Sequence, residues 1–301
     1  MRLLCKVFFL PTVLIAALVL SGVSVYAAAQ DGVNWESSTI TVTGMGVAPP
    51  NAINAVQARL LARRAAQADA YRQLAELVKG VSVDSTTTVE NYMVTSDVTQ
   101  TKVNAVIHGA RIVSESAIPG GGYEMTMSMP MFGDSNSLAQ AVLPPTVQRE
   151  SFPEPVSSVA PSLPAYDSSA SVSVRIDVAT NQPTVSAPDR KAQGGYTGLV
   201  VDCRGLGLKP VMSAVIKNAN GDKIYGHKNI NPDYVIAHGM VGYTKDINNV
   251  SRAGNNPLVV RAVALQDHNS NPVLSVADAN RVLIENKATG FLEKTSVVFI
   301  R

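Results

Sequence analysis

The chain opens with a nearly continuous apolar run from Val7 to Val25, preceded by the basic residues Arg2 and Lys6. A positive start, an apolar core and small residues after that core are typical of a secretory signal peptide. The residues expected at the cleavage site are Ala27, Ala29 and Gln30. We therefore predict a signal peptide over residues 1–29, cleavage after Ala29, and export of the remaining chain.

An uncleaved membrane anchor is the alternative for this apolar run. Its 19 residues come close to the roughly 20 that a membrane-spanning helix needs. Pro11 and Ser21-Gly22 interrupt the run, which favours cleavage, so contact with a membrane is expected only if the leader is retained. Cys5 precedes the apolar core, whereas the acylated cysteine of a lipoprotein follows it. The sequence therefore predicts no lipid anchor.

A strand and a long helix form the first folded pattern after the leader. Thr39–Thr43 alternates β-branched residues, as a strand with one apolar face does. Ala52–Lys79 is rich in good helix formers and lacks Gly and Pro, which predicts one long helix between an Asn51 cap and Gly80. The positions expected on its apolar face are Leu61, Ala65, Ala68, Ala75 and Val78. Its many alanines predict a backbone that lies close to a sheet.

Three further alternating segments predict strands. They are Val81–Glu90, Thr101–Glu115 and Tyr123–Met131, the last preceded by a turn at Gly120–Gly122. A short helix is expected at Ser135–Leu143. The resulting β-α-β-β-β order predicts one helix packed across an antiparallel or mixed sheet, in a domain covering residues 35–143.

The composition changes between residues 144 and 195, where prolines are spread among Ser, Ala and Val. Such a stretch has few large apolar side chains to bury, so we predict a Pro/Ser-rich linker over 144–195. Within it, Ser171–Val178 alternates apolar and polar residues and is compatible with a strand of either flanking domain.

Residues 196–301 show the pattern of a second small α+β domain. Its expected strands are Gly198–Cys203, Val211–Lys217, Lys223–Tyr225, Leu258–Leu265 and Thr295–Ile300. Asn218–Asp222 contains an Asn-Gly pair that predicts a hairpin, and a helix is expected from Ser275 to Gly290. The whole chain is thus predicted as α+β: a long helix on a small, mostly antiparallel sheet, a linker, and a second α+β domain.

Charge changes the picture once the leader is removed. The full sequence has 25 basic and 23 acidic side chains, and loss of Arg2 and Lys6 leaves 23 of each. A neutral chain with a single tryptophan, Trp35, has neither a cationic stripe for nucleic acid nor a polybasic patch for anionic lipid. We predict no nucleic-acid partner.

One cysteine, Cys203, follows the leader. A single thiol cannot form a disulfide within the chain, and its place after Leu199–Asp202 predicts a small buried side chain in a strand. A bridge between two chains or a reactive thiol is the alternative.

Candidate catalytic and metal-binding residues are few. A row of methionines on one strand face (Met125, Met127, Met129 and Met131) offers thioethers of the kind that suit Cu(I), but is explained more simply as a core face. Asp69 and Glu76 fit a solvated helix face with ion pairs. His108, His227, His238 and His268 show no metal-ligand spacing, and no nucleophile motif occurs. We predict no catalytic residues, no metal and no cofactor.

The only glycine-rich loop after a strand is Gly205–Pro210. It lacks the Gly-Lys-Ser/Thr ending of a phosphate loop and leads into a strand, so a shaped turn is the simpler interpretation. Asp202, Arg204 and Lys209 lie around it and form the one candidate rim for a small ligand.

The run Arg63–Glu76, followed by Gly80-Val81-Ser82-Val83, resembles the central helix and next strand of Lpp-twenty type bacterial envelope lipoproteins. The resemblance includes Gly44-Met45-Gly46 and Gly122–Met125, and covers roughly residues 39–132. Similar domains occur in accessory proteins of flagellar basal-body rings, so the resemblance implies a non-catalytic envelope or assembly role. Named members carry a lipid-bearing cysteine after the leader, which this chain lacks, so lipid anchoring is not implied.

These observations predict an exported protein of the periplasm or outer envelope that acts as an assembly or interaction module, with association to the flagellum as the narrower form of the hypothesis. Its expected partners are other envelope or flagellar proteins, and an oligomer remains compatible with the sequence. The alternative is a module that binds a cell-wall glycan or peptide through the loop 202–210.

Overall fold

The computed structural model describes residues 31–143, 149–156 and 191–301. The signal peptide with Ala27, Ala29 and Gln30, the strand expected at Ser171–Val178 and most of the stretch 144–195 lie outside the described residues. Within the described residues, none of the helices combines the length and the apolar character needed to cross a membrane.

The first domain contains four strands and four helices, and its sheet has the order β1-β2-β4-β3 with all neighbours antiparallel. In chain order its elements are β1 (Gly32–Asn34), β2 (Thr39–Val47), α1 (Ala55–Lys79), α2 (Val89–Thr95), α3 (Asp97–His108), β3 (Arg111–Ile118), β4 (Gly122–Pro130) and α4 (Leu138–Val142).

The long helix is present, but its start and its buried face differ from the prediction. It begins at Ala55, and the side chain of Asn54, not of Asn51, accepts a hydrogen bond from the Gln57 N–H. It ends at Gly80, as predicted. Its buried residues are Ala62, Ala66, Ala70, Leu74 and Val78, so only Val78 of the predicted face is correct. The predicted face was wrong because only alanine fits where α1 crosses β2, at Ala62, Ala66 and Ala70, and this selects the face that also buries Leu74 and Val78 further along the helix.

Two glycines of β2 explain that selection. A Cβ atom on Gly44 would lie 2.3 Å from the Ala66 carbonyl oxygen, and one on Gly46 would lie 2.3 Å from the Ala62 oxygen. The backbones of β2 and α1 are therefore in direct contact, with Ala70 extending the same contact surface. The predicted close approach of helix and sheet is confirmed.

Two predicted strands of this domain are wrong. Residues 81–90 form a turn with a single bridge between Ser82 and Thr88, because the Asp84 carboxylate accepts hydrogen bonds from two backbone N–H groups and α2 then begins. The first half of Thr101–Glu115 is the end of α3, whose buried residues Val103, Val106 and Ile107 follow helical spacing. The order of elements is thus β-β-α-α-α-β-β-α.

Met125, Met127 and Met129 of the methionine row lie on β4, between β2 and β3, and Met131 follows directly after the strand. Met125, Met127, Met129 and Met131 are each at most 1% exposed, which confirms the interpretation as a core face. Gly120 and Gly121 adopt positive φ in the turn that joins β3 to β4, also as predicted.

This burial predicts a gradient of oxidation. Mild peroxide should convert Met45, which is 59% exposed, to the sulfoxide well before the four methionines of this row, because oxidant reaches buried thioethers only after opening of the fold. Peptide mass spectrometry over a time course measures this order. Oxidation of Met127 at the rate of Met45 would contradict the buried row.

The second domain contains two four-stranded sheets, β8-β12-β5-β9, which is parallel throughout, and β10-β11-β6-β7, which is mixed. In chain order its elements are β5 (Gly198–Asp202), β6 (Ile216–Asn218), β7 (Lys223–Tyr225), α5 (Pro232–His238), β8 (Gly242–Thr244), β9 (Pro257–Arg261), β10 (Ala264–Gln266), β11 (Asn271–Leu274), α6 (Val276–Thr289) and β12 (Val297–Ile300). The predicted α+β class is confirmed for the residues that the structure describes.

In this domain the predicted hairpin and the predicted helix boundaries are confirmed where a turn or a capping residue fixes them. The hairpin β6–β7 forms with Gly221 at positive φ, and α6 starts at a Ser275 cap and ends at Gly290 in the left-handed conformation. Val211–Lys217 contains a strand only at its end. Leu258–Leu265 is two strands, β9 and β10, because the chain turns between them to pair with different sheets.

The two domains pack directly against each other. The N–H groups of Met212 and Ser213 donate to the carbonyl oxygens of Ser82 and Val83 at 3.1 and 2.7 Å. Trp35 of the first domain meets Tyr243 of the second edge-to-face, with ring centroids 5.6 Å apart. Buried residues of both domains form one continuous core cluster. This packing fixes the position of the first domain relative to the second.

Residues 149–156, inside the stretch interpreted as a linker, lie against the second domain. The Glu150 N–H donates to the Lys228 carbonyl at 2.8 Å, and Phe152 stacks on Tyr225. Val156 exchanges two 2.8 Å hydrogen bonds with the side chain of Asn280 on α6. The chain has therefore reached the second domain by residue 149.

Candidate interaction site

The loop 202–210 brings its predicted residues into one region, but two of them satisfy each other. The Arg204 guanidinium donates to both carboxylate oxygens of Asp202, at 2.9 and 2.7 Å, and the Arg204 N–H adds a third hydrogen bond. The Arg204 side chain holds the pKa of the Asp202 carboxyl below its usual range. This pair is neutral overall and leaves little net charge with which to attract a ligand.

The rest of the loop, Gly205–Pro210, is a shaped turn and not a phosphate-binding loop, as the sequence predicts. Gly205 and Gly207 have positive φ, which glycine adopts without strain. The Lys209 N–H donates to the Asn269 carbonyl at 2.8 Å, while the Lys209 residue is exposed. A ligand rim at Asp202, Arg204 and Lys209 stays a prediction.

Cys203 is fully buried beside this loop, and its thiol lies 3.8 Å from the Val201 carbonyl oxygen. Burial, with the nearby Asp202 charge, raises the pKa of the thiol to about 12. The thiolate is the reactive form, so a raised pKa together with burial describes an inert side chain. The structure thus favours the buried interpretation of Cys203 over a bridge between chains.

Alkylation tests this assignment. Iodoacetamide at pH 8 should leave Cys203 unmodified in the folded chain and label it fully in urea, because only unfolding exposes the sulfur and returns its pKa to the ordinary range. Peptide mapping separates Cys203 from Cys5. Labelling of Cys203 at equal rates in both conditions would contradict its burial.

The remaining candidates for chemistry have structural partners. His238 stacks on Tyr234, and His108 packs against Tyr71 with the two rings tilted by 32°. The His268 ring lies 3.0 Å from the Ser85 carbonyl oxygen. Asp69 binds Arg72 and the Met45 N–H, as expected of a solvated helix face. Over residues 31–143, 149–156 and 191–301, no cluster of three or more His, Cys, Asp or Glu side chains could hold a metal ion.

A cavity of about 250 Å³ lies where the two domains meet. Its charged lining residues are Asp31, Glu36, Lys245 and Arg301. Glu36 is already engaged, because its carboxylate accepts hydrogen bonds from Thr244 at 3.2 Å and Asn249 at 2.5 Å. Ligand pockets are usually larger and mostly apolar, so this cavity is better explained as part of the junction between domains.

The most unusual surface lies at one end of the first domain, where β2 ends and α1 begins. Five large apolar side chains there are 56–85% exposed: Met45, Val47, Ile53, Val56 and Leu60. We call these residues the apolar end. They lie on two sides of the sheet: Met45 and Val47 on the face of β2 turned away from α1, because Gly44 and Gly46 face the helix, and Val56 and Leu60 on α1 itself. Isolated apolar side chains are common on surfaces, but several within one short region mark a contact site. The sequence does not reveal this end because these residues alternate or repeat as core positions do.

An open strand edge adjoins the apolar end. β3 is the outer strand of the sheet, and seven of its eight residues are exposed, with Ile118 partly so. The turn Gly120–Gly122 places the end of β3 beside the start of β4, which in turn pairs with Gly46 and Val47. Apolar side chains and unpaired strand backbone therefore occur together at this end.

Comparisons with known proteins agree with the division into two domains. Residues 28–129 match the family model of the LPP20 lipoprotein, and residues 198–301 match that of the second domain of Treponema pallidum Tp0624. A search of curated proteins found no match. The first match covers 102 of the 301 residues and shows that the first domain is similar to LPP20 lipoproteins.

Proposed function

We propose that this protein is an exported, non-catalytic interaction module of the cell envelope, which binds other envelope proteins through the apolar end of its first domain. The observation that carries the proposal is the group of five apolar side chains, 56–85% exposed, beside an open strand edge. Removal of such a surface from water stabilises a complex by roughly 25 cal/mol for each Å² buried. The similarity to envelope proteins over 28–129 supports the location.

The narrower form of the proposal is assembly with flagellar basal-body proteins in the periplasm or at the outer envelope. Its support is the resemblance of the first domain to flagellar accessory domains. Deletion of the gene should then reduce swimming. A variant in which Met45, Val47 and Ile53 are each replaced by serine should fail to restore swimming to the deletion strain. Normal swimming of the deletion strain would reject the flagellar form alone.

The second candidate function is binding of a cell-wall glycan or peptide by the loop 202–210. It has less support, since Asp202 and Arg204 neutralise each other. Stabilisation of the purified chain by muropeptides, lost in Arg204→Ala, would favour it over the apolar end.

Site-specific crosslinking in cells tests the main proposal. A photoreactive aromatic amino acid at Ile53, which is 85% exposed, should yield discrete crosslinked species. The matched control is Val259, an apolar residue 57% exposed on β9 of the second domain, where no such species should form. The same species at both positions, or none at Ile53, Val56 and Leu60, would reject the apolar end as the contact site.

A further inference from the structure

The free edge of β3 is the longest edge in the described parts of the three sheets. The other outer strands are β1, β7, β8, β9 and β10, with three to five residues each, whereas β3 has eight. Natural proteins usually shorten or cover such edges, because unpaired N–H and C=O groups accept a further strand. Apart from its pairing with β4, the backbone of Arg111–Ile118 makes no hydrogen bond to other described residues.

Only part of this edge is suited to pairing. A bulge at Val113 interrupts the register between Ile112 and Ser114, and bulges bend a strand away from regular pairing. From Ser114 to Ile118 the register with β4 is regular. A partner strand would therefore add beside these five residues, next to the turn at Gly120–Gly122.

A groove lies one strand further into the sheet, next to this edge. It has a volume of about 550 Å³ and lies between the first turns of α1 and the start of β4, lined by Val56, Leu60, Tyr123 and two arginines. Tyr123 is the partner of Ala117 in the register of β3 with β4. The groove and the regular edge thus share one end of the sheet, and a strand added to β3 would turn every second side chain toward the groove.

The charges of the groove are unequal. Arg63 donates two hydrogen bonds to Glu115 of β3, at 2.8 and 3.2 Å, and is thereby neutralised. Arg59, the other arginine, is exposed and forms no ion pair with the described residues. The groove therefore offers apolar walls and one uncompensated positive charge at its rim.

We propose that the groove and the edge Ser114–Ile118 together bind an extended segment of another protein, which adds to the sheet as a fifth strand beside β3. Alternate apolar side chains of this segment occupy the groove between Val56, Leu60 and Tyr123, and an acidic side chain pairs with Arg59. The inference rests on the proposed function and specifies the class of partner: an alternating segment with one carboxylate on its apolar face. Recognition by strand addition takes affinity from the backbone and specificity from alternate side chains.

A second copy of the chain fits this surface less well. Two β3 strands brought together about a twofold axis would bring the uncompensated Arg59 of each copy to the same interface, whereas each Arg63 is already paired with Glu115. Like charges across an interface oppose association. Across the bulge, Arg111 and Glu115 lie on opposite faces of the sheet, so they could not pair between copies.

A capped synthetic peptide, Thr-Val-Thr-Val-Thr-Glu-Thr, serves as the probe with the full chain, and fluorescence anisotropy measures its binding. Methylation of alternate backbone nitrogens in one register should abolish binding, while methylation in the other register should leave it unchanged, because only one set of N–H groups faces β3. The substitution Arg59→Glu should weaken binding about tenfold. Arg64→Glu, at an exposed position of the same helix, is the matched control and should have no effect.

A charge exchange completes the test. The peptide with Lys in place of Glu should bind Arg59→Glu better than it binds the unmodified chain. Equal effects of both methylation registers, or equal binding by Arg59→Glu and Arg64→Glu, would overturn strand addition at this groove. Dimerisation of the free chain that Arg59→Glu strengthens would assign the surface to a second copy and also overturn it. If crosslinks at Ile53 persist while the peptide fails to bind, the inference fails and the proposed function stands.

Discussion

Replacement of Gly44 by alanine is expected to destabilise the protein by about 3 kcal/mol, one of the two largest effects predicted for a single substitution. The new Cβ would lie 2.3 Å from the Ala66 carbonyl oxygen and 2.4 Å from the Ala70 nitrogen. Both are backbone atoms of α1, so no rotation of a side chain can relieve the overlap, and the helix must move away from β2. Urea unfolding followed by circular dichroism measures the change, which corresponds to a Tm lower by roughly 9 °C.

Gly80→Ala is the matched control for this substitution. Gly80 ends the same helix with φ −76° and ψ −7°, a conformation open to any residue, and its added Cβ would meet nothing closer than 3.5 Å. Alanine there restricts the unfolded chain and should be neutral or stabilise by about 0.5 kcal/mol. A loss of stability in Gly80→Ala as large as in Gly44→Ala would show that the contact between α1 and β2 is not the cause.

Removal of the Arg252 guanidinium is expected to be equally costly. Its nitrogens donate to the carbonyl oxygens of Thr295, His238 and Gly239 at 2.6–2.8 Å, and to the Thr295 hydroxyl at 2.8 Å. Burial lowers the pKa of Arg252, yet the side chain stays charged because an arginine pKa begins so high. Arg252→Met leaves the His238 and Gly239 carbonyls without their arginine donor, while the Thr295 carbonyl keeps the Val297 N–H at 2.8 Å. We expect a loss of about 3 kcal/mol in the free energy of unfolding.

Two further variants identify the cause of that loss. Arg252→Lys keeps the charge but cannot reproduce the planar set of donors, so its stability should lie between those of the unmodified chain and Arg252→Met. Arg261→Met, at an exposed position of β9, should change the free energy of unfolding by less than 0.5 kcal/mol. If Arg252→Met lowers the free energy of unfolding no more than Arg261→Met does, the hydrogen bonds of Arg252 do not contribute to the stability of the fold.

The parts of the fold that the sequence predicts correctly are those with local chemical causes. Gly120 and Gly121 form a turn because glycine adopts positive φ freely, and Ser275 caps α6 because its hydroxyl accepts a hydrogen bond from the Asp278 N–H. The alternating methionines are buried because a strand places every second side chain on one face.

The wrong predictions have different causes: two lie in local contacts or local periodicity, and one lies in a contact between segments that are distant in sequence. The threonine-rich run after α1 has β-branched side chains, yet Asp84 folds it into a turn and its end starts α2. The periodicity of Val103, Val106 and Ile107 fits a helix, but β-branched propensity favoured a strand. The buried face of α1 was misplaced because Gly44 and Gly46, far away in sequence, determine which helix residues face the sheet.

The candidate site was the least predictable part. Exposure of Val56 and Leu60 depends on what the rest of the fold leaves uncovered, and a hydrophobic residue carries no local sign of whether it faces core or solvent. The free edge of β3 depends likewise on the strand order, in which β4 pairs with both β2 and β3. By contrast, the sequence did place Asp202 and Arg204 near each other, but it did not reveal that they bind each other.

Helix α6 holds the chain on both sides of the stretch 157–190. Asn280 binds the backbone of Val156, and Glu285 accepts hydrogen bonds at 2.9 Å from the N–H groups of Gln193 and Gly194. The two anchors are separated by little more than one helical turn, so the chain leaves and re-enters the second domain at nearly the same place. Both ends of this stretch therefore lie on the second domain, so the contacts between the two domains do not depend on where it begins or ends.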